Sequence, residues 1–244
     1  REVRAFLGDK VKIGQQAASS VLGLSVRTQF GTGADTAKAI TTGGAAGAVA
    51  GAGTDATASV TPTISALIGN EAMIKVTGST QVSALSHSGA IAQSVGLVGA
   101  ELGVGLSFAE ANLKPLITAK IGNSGSIVAG GHVKVGALHN YNDVGTKLTG
   151  GAEALAVSAT GALLVGLNGS DADAEASAQV TSSLGSTFTQ AGSNLEIVAR
   201  SSNQSDAEAD GVVLGGYLAA GAVMADSNTH GATTAHLNGL ATAG

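Results

Sequence analysis

The run Gly125-Ser126-Ile127-Val128-Ala129-Gly130-Gly131-His132-Val133-Lys134-Val135-Gly136-Ala137 decides how this chain is read. Aliphatic residues come in short alternating sets, and a glycine turn separates one set from the next. Alternation with period two is a strand signature, because successive side chains of a strand point to opposite faces. The same form recurs four times: an aliphatic with Gly, a short turn, an aliphatic, a glycine turn, then alternating aliphatics. The copies run from Phe6-Leu7-Gly8 to Val21-Leu22-Gly23-Leu24-Ser25 and from Leu67-Ile68-Gly69 to Val82-Ser83-Ala84-Leu85-Ser86. The other two run from Lys120-Ile121-Gly122 to Val135-Gly136-Ala137-Leu138-His139 and from Ser183-Leu184-Gly185 to Ile197-Val198-Ala199-Arg200-Ser201.

The anchor glycines Gly8, Gly69, Gly122 and Gly185 recur with a period of about 60 residues. The later aliphatic of each copy, Val21, Val82, Val135 or Ile197, stands at the same offset from its anchor in the first three copies and one position nearer in the fourth. An inner apolar position recurs at Ile13, Ile74, Ile127 and Phe188. Glycine turns follow it at Gly78, Gly130-Gly131 and Gly192, whereas the first copy has Gln15-Gln16-Ala17 there. A sustained period of this length is the mark of stacked repeats.

Between the copies lie Gly/Ala/Ser-rich stretches such as residues 150–180 and 210–237. They alternate as well. In Ala152-Glu153-Ala154-Leu155-Ala156-Val157-Ser158-Ala159-Thr160 one face is almost entirely small, which lets sheets approach closely, and residues 211–225 read as a strand. Alanine favours helix on propensity alone. The recurrent Gly, the β-branched residues and the lack of an i, i+3, i+4 stripe outweigh it. Asn168-Gly169 is a turn signal. Each repeat is expected to be one short coil followed by a long strand pair or by two further coils. The expected fold is all-β: a repeat β-solenoid, parallel β-helix-like, with long Gly/Ala-rich strand extensions. Its four repeats of about 60 residues fall near 1–60, 61–115, 116–176 and 177–237. They are read as a single array belonging to a longer chain.

Residues 125–137 resemble the coil of filamentous-haemagglutinin-type large exoproteins, whose repeats place an aliphatic, a small residue, a Gly-Gly or Gly-Asn turn and then alternating valines. The other copies share the pattern more loosely. The resemblance implies a right-handed parallel β-solenoid within a large secreted bacterial surface protein, often adhesive. The long Gly/Ala stretches lie outside that family's usual pattern.

Composition supports a stack over a compact sphere. Of 244 residues, 37 are Gly, none is Trp, and only six are Phe or Tyr, so the side chains that bury most area are scarce. Stability must come from many small contacts, about 0.8 kcal/mol for each buried methyl. A net charge of −5 and the absence of a Lys/Arg cluster argue against nucleic acid or an anionic membrane as partner. The longest charge-free apolar stretch, residues 211–225, is too short for a normal membrane span. Without cysteine there are no disulfides, thiolate metal sites or cysteine nucleophile.

No catalytic constellation is legible, and no catalytic residue or cofactor is assigned. His87, His132, His139, His230 and His236 are scattered without metal-ligand spacing and read as surface residues. Gly31-Thr32-Gly33 and residues 96–105 lack the Lys-Ser/Thr of a phosphate loop. Polysaccharide-cleaving enzymes on β-helices would need paired carboxylates and an aromatic platform, and only Tyr141 and Tyr217 are present for the latter.

Two acidic alternations stand out. Asp171, Asp173 and Glu175, and likewise Asp206, Glu208 and Asp210, each put three carboxylates on one side of a strand. Hard oxygen ligands so placed suit structural Ca2+. Asp55 and Glu110 sit at related points, which suggests a column of acids along the stack. The competing reading is a solvated face that discourages edge pairing. Asn168-Gly169-Ser170 and Asn203-Gln204-Ser205 match the N-glycosylation pattern and are expected in exposed turns.

The functional expectation is a structural segment of an extracellular fibre or cell-surface stalk, its partners being itself or flanking repeats. The alternative is an adhesin module that presents loops such as residues 139–146 to a cell-surface or matrix ligand.

Overall fold

A computed structural model describes residues 1–16 and 20–244, the side chains of 32–34 excepted. The strands among the described residues are, in order, β1 (Glu2–Leu7), β2 (Lys12–Ile13), β3 (Leu24–Val60), β4 (Thr63–Ile68), β5 (Met73–Val76), β6 (Thr80–Leu113), β7 (Leu116–Ile121), β8 (Ser126–Ala129), β9 (Val133–His139), β10 (Ala152–Leu184), β11 (Phe188–Ala191), β12 (Leu195–Ser201), β13 (Ser205–Gly215), β14 (Leu218–Leu237) and β15 (Ala241–Ala243). The chain is all-β. Every ladder between these strands is parallel. They form a ten-stranded sheet, which includes β1, β4, β7, β10, β6, β9 and β12, and a five-stranded sheet ordered β15-β11-β8-β5-β2.

The register shows one rung per repeat. Leu7, Ile68, Ile121, Leu184 and Leu237 are partners in one column. The fifth member extends the four copies seen in the sequence. The steps from Ile68 to Ile121 and from Leu184 to Leu237 are equal and define the minimal rung. The other two steps, from Leu7 to Ile68 and from Ile121 to Leu184, are longer and carry insertions. In the first rung these lie between Ile13 and Leu24 and at residues 30–35; in the third they lie mainly at residues 140–150.

Each rung has a three-sided head and a long arm. In the second rung β4, β5 and the first residues of β6 make the three sides; β6 then runs out along the arm and returns before β7 begins. The glycines at the corners are forced by the rung below. A Cβ on Gly122 would lie 2.6 Å from the Gly69 carbonyl carbon, one on Gly185 2.5 Å from the Gly122 oxygen, and one on Gly192 2.2 Å from the Gly130 oxygen. The residues after the anchors form a polar ladder. Asp9 accepts from the Asn70 amide (2.7 Å), Asn70 from the Asn123 amide (2.9 Å), and Asn123 from the Ser186 amide (2.9 Å). In these turns Lys10, Glu71 and Ser124 take φ of 60°, 56° and 59°.

The head is filled by large aliphatics, among them Ile64, Ile74, Ile117, Ile127, Val133 and Val135, all at most 1% exposed. The arm is different. Hydroxyl contacts show that each long strand folds back on itself: Ser158 meets Ser170 at 2.9 Å, and Thr41 donates to the Asp55 carbonyl at 2.7 Å. The interior between the two limbs is mostly alanine, including Ala90, Ala92, Ala111, Ala156, Ala172, Ala174 and Ala176. This is the small face expected of residues 152–160. Of the two arrangements left open by the sequence, the long stretch is a strand pair.

Four expectations are corrected. The fourth rung's corner turn is one residue shorter, so Thr189 aligns with Ile127 and is buried, while Phe188 aligns with Ser126 and is exposed. A slip of one residue exchanges the two faces of a strand. In the first copy Val26, not Val21, is the partner of Val82, because that corner carries extra residues. Its expected turn includes Ala17, which lies outside the described residues. Asn168-Gly169 is not a turn but part of β10; the arm reverses near Leu163 and Leu164, where the register shifts. The strand read over 211–225 is interrupted at Gly216-Tyr217, between β13 and β14. No helix is long and apolar enough to cross a membrane among the described residues.

Candidate functional site

The two acidic triplets lie on opposite faces of the arm. Asp171, Asp173 and Glu175 stand on the returning limb of β10, whereas Asp206, Glu208 and Asp210 pair beside Glu153, Leu155 and Val157 on the outgoing limb. They do not converge, and among the described residues no group of three His, Asp or Glu side chains is placed to hold a metal ion. A column does form from Glu110, Asp173 and Asp226, with Asp55 one step aside in the column of Phe108 and Asp171. Partial burial, then the charges of Asp226 and Glu110, and after them Glu175 and Asp171, raise the pKa of Asp173. Glu175 pairs with Lys114 at 2.5 Å, and the His230 Nε2 lies 3.3 Å from its other carboxylate oxygen.

Asn168 is 7% exposed, and its amide donates to the Ser158 and Val212 carbonyls, both at 3.0 Å. It belongs to the arm interior, not to an exposed turn, so a glycan has no access to it in the folded chain. Asn203 sits between β12 and β13 and donates to the His230 carbonyl at 2.8 Å.

The reading of all five histidines as surface residues fails at His139, which is fully buried. Val133, Val135, Ala137 and His139 alternate inward along β9, so the period-two pattern already carried that signal. His139 shares its column with Ser86 and Ser201 at the neck between head and arm. Its Nε2 lies 3.3 Å from the Asn140 side-chain amide nitrogen, its Nδ1 has no partner among the described residues, and burial, with a contribution from His87, lowers its pKa to about 4. His87 bonds the Thr149 carbonyl at 2.7 Å, and His132 bonds the Ser79 hydroxyl at 2.9 Å.

The third rung's insertion is an ordered excursion over its neighbours. Asn140, with φ of 53°, is buried, accepts from the Ser88 amide (3.0 Å) and donates to the Ser88 and Ser202 carbonyls. Asn142 accepts from the amides of Val144 (3.2 Å) and Thr146 (2.8 Å), which closes the loop. Asp143 pairs with Arg27 of the first rung at 2.6 Å, Thr149 holds His87 of the second, and the Gly145 carbonyl takes Arg200 of the fourth at 3.4 Å. The loop and the strands beneath it enclose a cleft of about 420 Å3.

The outer rungs leave long main-chain edges. Among the described residues, β3, with 37 residues, pairs on one side only through its inner edge with β6; on the other, β13 and β14 pair only with β10, and β14 is almost wholly exposed. No family model, curated protein or solved structure matches the chain.

Proposed function

We propose that this chain is a non-catalytic structural segment, a parallel β-solenoid with flattened arms, that builds an extracellular fibre or cell-surface stalk by stacking rung on rung. The observation that carries the reading is the register. The same column positions return rung after rung, and the two outer rungs offer parallel edges with the spacing and direction of those already paired inside. A further rung, from the same chain or from a second copy, docks on either edge by the main-chain pattern used between β3 and β6. Contacts between unlike ends do not close on themselves and generate filaments. Unpaired edges of this length are a template for that growth. The resemblance of residues 125–137 to secreted exoprotein coils agrees with an extracellular setting.

Electron microscopy of the purified 244-residue chain in dilute buffer is the test. Straight filaments with an axial strand spacing of about 4.8 Å are the expected outcome. Dispersed short particles at all concentrations would remove growth by identical copies and leave flanking repeats of the same chain as the only stacking partner.

A further inference from the structure

The excursion over residues 140–150 is not needed to stack a rung, since the rungs that start at Ile68 and Leu184 close without it. Ordering a backbone costs conformational entropy at every residue. This one is nonetheless held by its own Asn142 turn and by ties to Arg27, His87 and Arg200 on three other rungs. What it builds is the cleft, with walls of two kinds. Tyr141 and Leu148 supply apolar surface, and Val144 stands 86% exposed at the rim. Arg27 and Gln29, on the strand below, supply planar polar groups. The cation is balanced, because Arg27 pairs with Asp143 at 2.6 Å, so the site is not built to hold a phosphate or another strong anion.

We propose that this cleft binds a saccharide unit. A sugar ring has an apolar C–H face, which suits a tyrosine ring, and a rim of hydroxyls, which suits a guanidinium and a carboxamide side by side. The cleft volume falls in the range of small-ligand sites. The ligand is one residue of a longer glycan, since the cleft is open and its walls reach only across the loop and the strands beneath. This goes beyond the stacking role: it gives the fibre's flank one recognition point, on the rung that carries the loop.

The test is NMR titration of the whole chain with methyl glycosides of neutral hexoses, N-acetylhexosamines and hexuronic acids at millimolar concentration, followed by oligosaccharides of whichever class responds. Expected are shifts confined to residues around Tyr141 and Gln29, tighter binding of the oligosaccharide than of the monosaccharide, and about tenfold weaker binding in Tyr141→Ala. Gln29→Ala, which lies off the loop, is expected to weaken binding as well, and to lower the melting temperature only slightly through loss of its bonds to Arg27 (3.2 Å) and the Gly31 carbonyl (2.8 Å). Absence of localised shifts with every glycoside overturns the proposal. So does a Tyr141→Ala chain that melts earlier but binds the glycoside as tightly as the parent, because the loop is then only a clamp across the rungs.

Discussion

Head and arm share one main-chain register but are filled by different matter. In the head, columns of Ile, Val and Leu fill a three-sided space; in the arm, two limbs close on columns of Ala, with Ser and Thr toward the tip. Thr54 and Ser94 meet at 2.8 Å, Thr54 and Ser107 at 2.9 Å, and Ser107 passes the chain on to the Val157 carbonyl at 2.7 Å. Side-chain size therefore sets the gap between facing strands, while the parallel ladder stays the same. A large aliphatic contributes about 1.5–3 kcal/mol when buried and an alanine methyl about 0.8. The head gains its stability from few large side chains, the arm from many small ones packed closely.

The comparison breaks most sharply at Ile117, which is fully buried in the head. Ile117→Ala is expected to cost about 2–5 kcal/mol in chemical denaturation. Acid acts on the neck. A His whose folded pKa lies near 4 rather than 6.5 remains neutral in the fold while the unfolded chain takes up a proton. The stability that His139 gives is complete above pH 6.5 and is lost as the pH falls toward 4, by about 3 kcal/mol in all. His139→Gln should flatten that part of the melting-temperature profile.

The reverse exchange of volumes probes the arm. Ala174→Leu, at a site with no exposure, is expected to cost about 1–3 kcal/mol by forcing the limbs apart. A leucine of the same size is what the head already accommodates at Leu184. The smallest effect is at Asp173, where the sign is opposite to that of His139. Its folded pKa is raised, so its penalty is complete at neutral pH and is relieved as the pH falls toward the ordinary carboxylate range. Asp173→Asn should raise the melting temperature slightly at pH 7 and have no such effect in acid.

The head was largely legible in the sequence and the arm only in part. Corner glycines announce themselves because neighbouring backbone leaves no room for a Cβ, as at Gly122 and Gly185. The ladder of Asp9, Asn70 and Asn123 was equally present, one residue after each anchor, but its meaning depends on seeing the rungs stacked. The fifth column position, Leu237, escaped notice because Asn238 stands where the other rungs have the anchor glycine. The one-residue slip at Phe188 follows from a shortened turn with no composition of its own. In the arm, local turn chemistry misled. Asn168-Gly169 carries a strong turn signal and lies inside a strand, whereas the chain reverses near Leu163-Leu164, which carries none. There the position of the reversal follows the rungs on either side. The cleft was least legible: Arg27, His87 and Tyr141 come from three different rungs, and only the insertion's extra length marked the place.

The length of the minimal rung, from Ile68 to Ile121, has a mechanical consequence. Extended, that segment would measure roughly 175 Å, yet it advances the stack by about 4.8 Å. Pulled along the stacking axis, all the hydrogen bonds between two rungs share the load at once. Pulled outward by the tip of an arm, they open one after another, as a zipper does. A structure built this way bears tension along its length and yields to peeling from its edge.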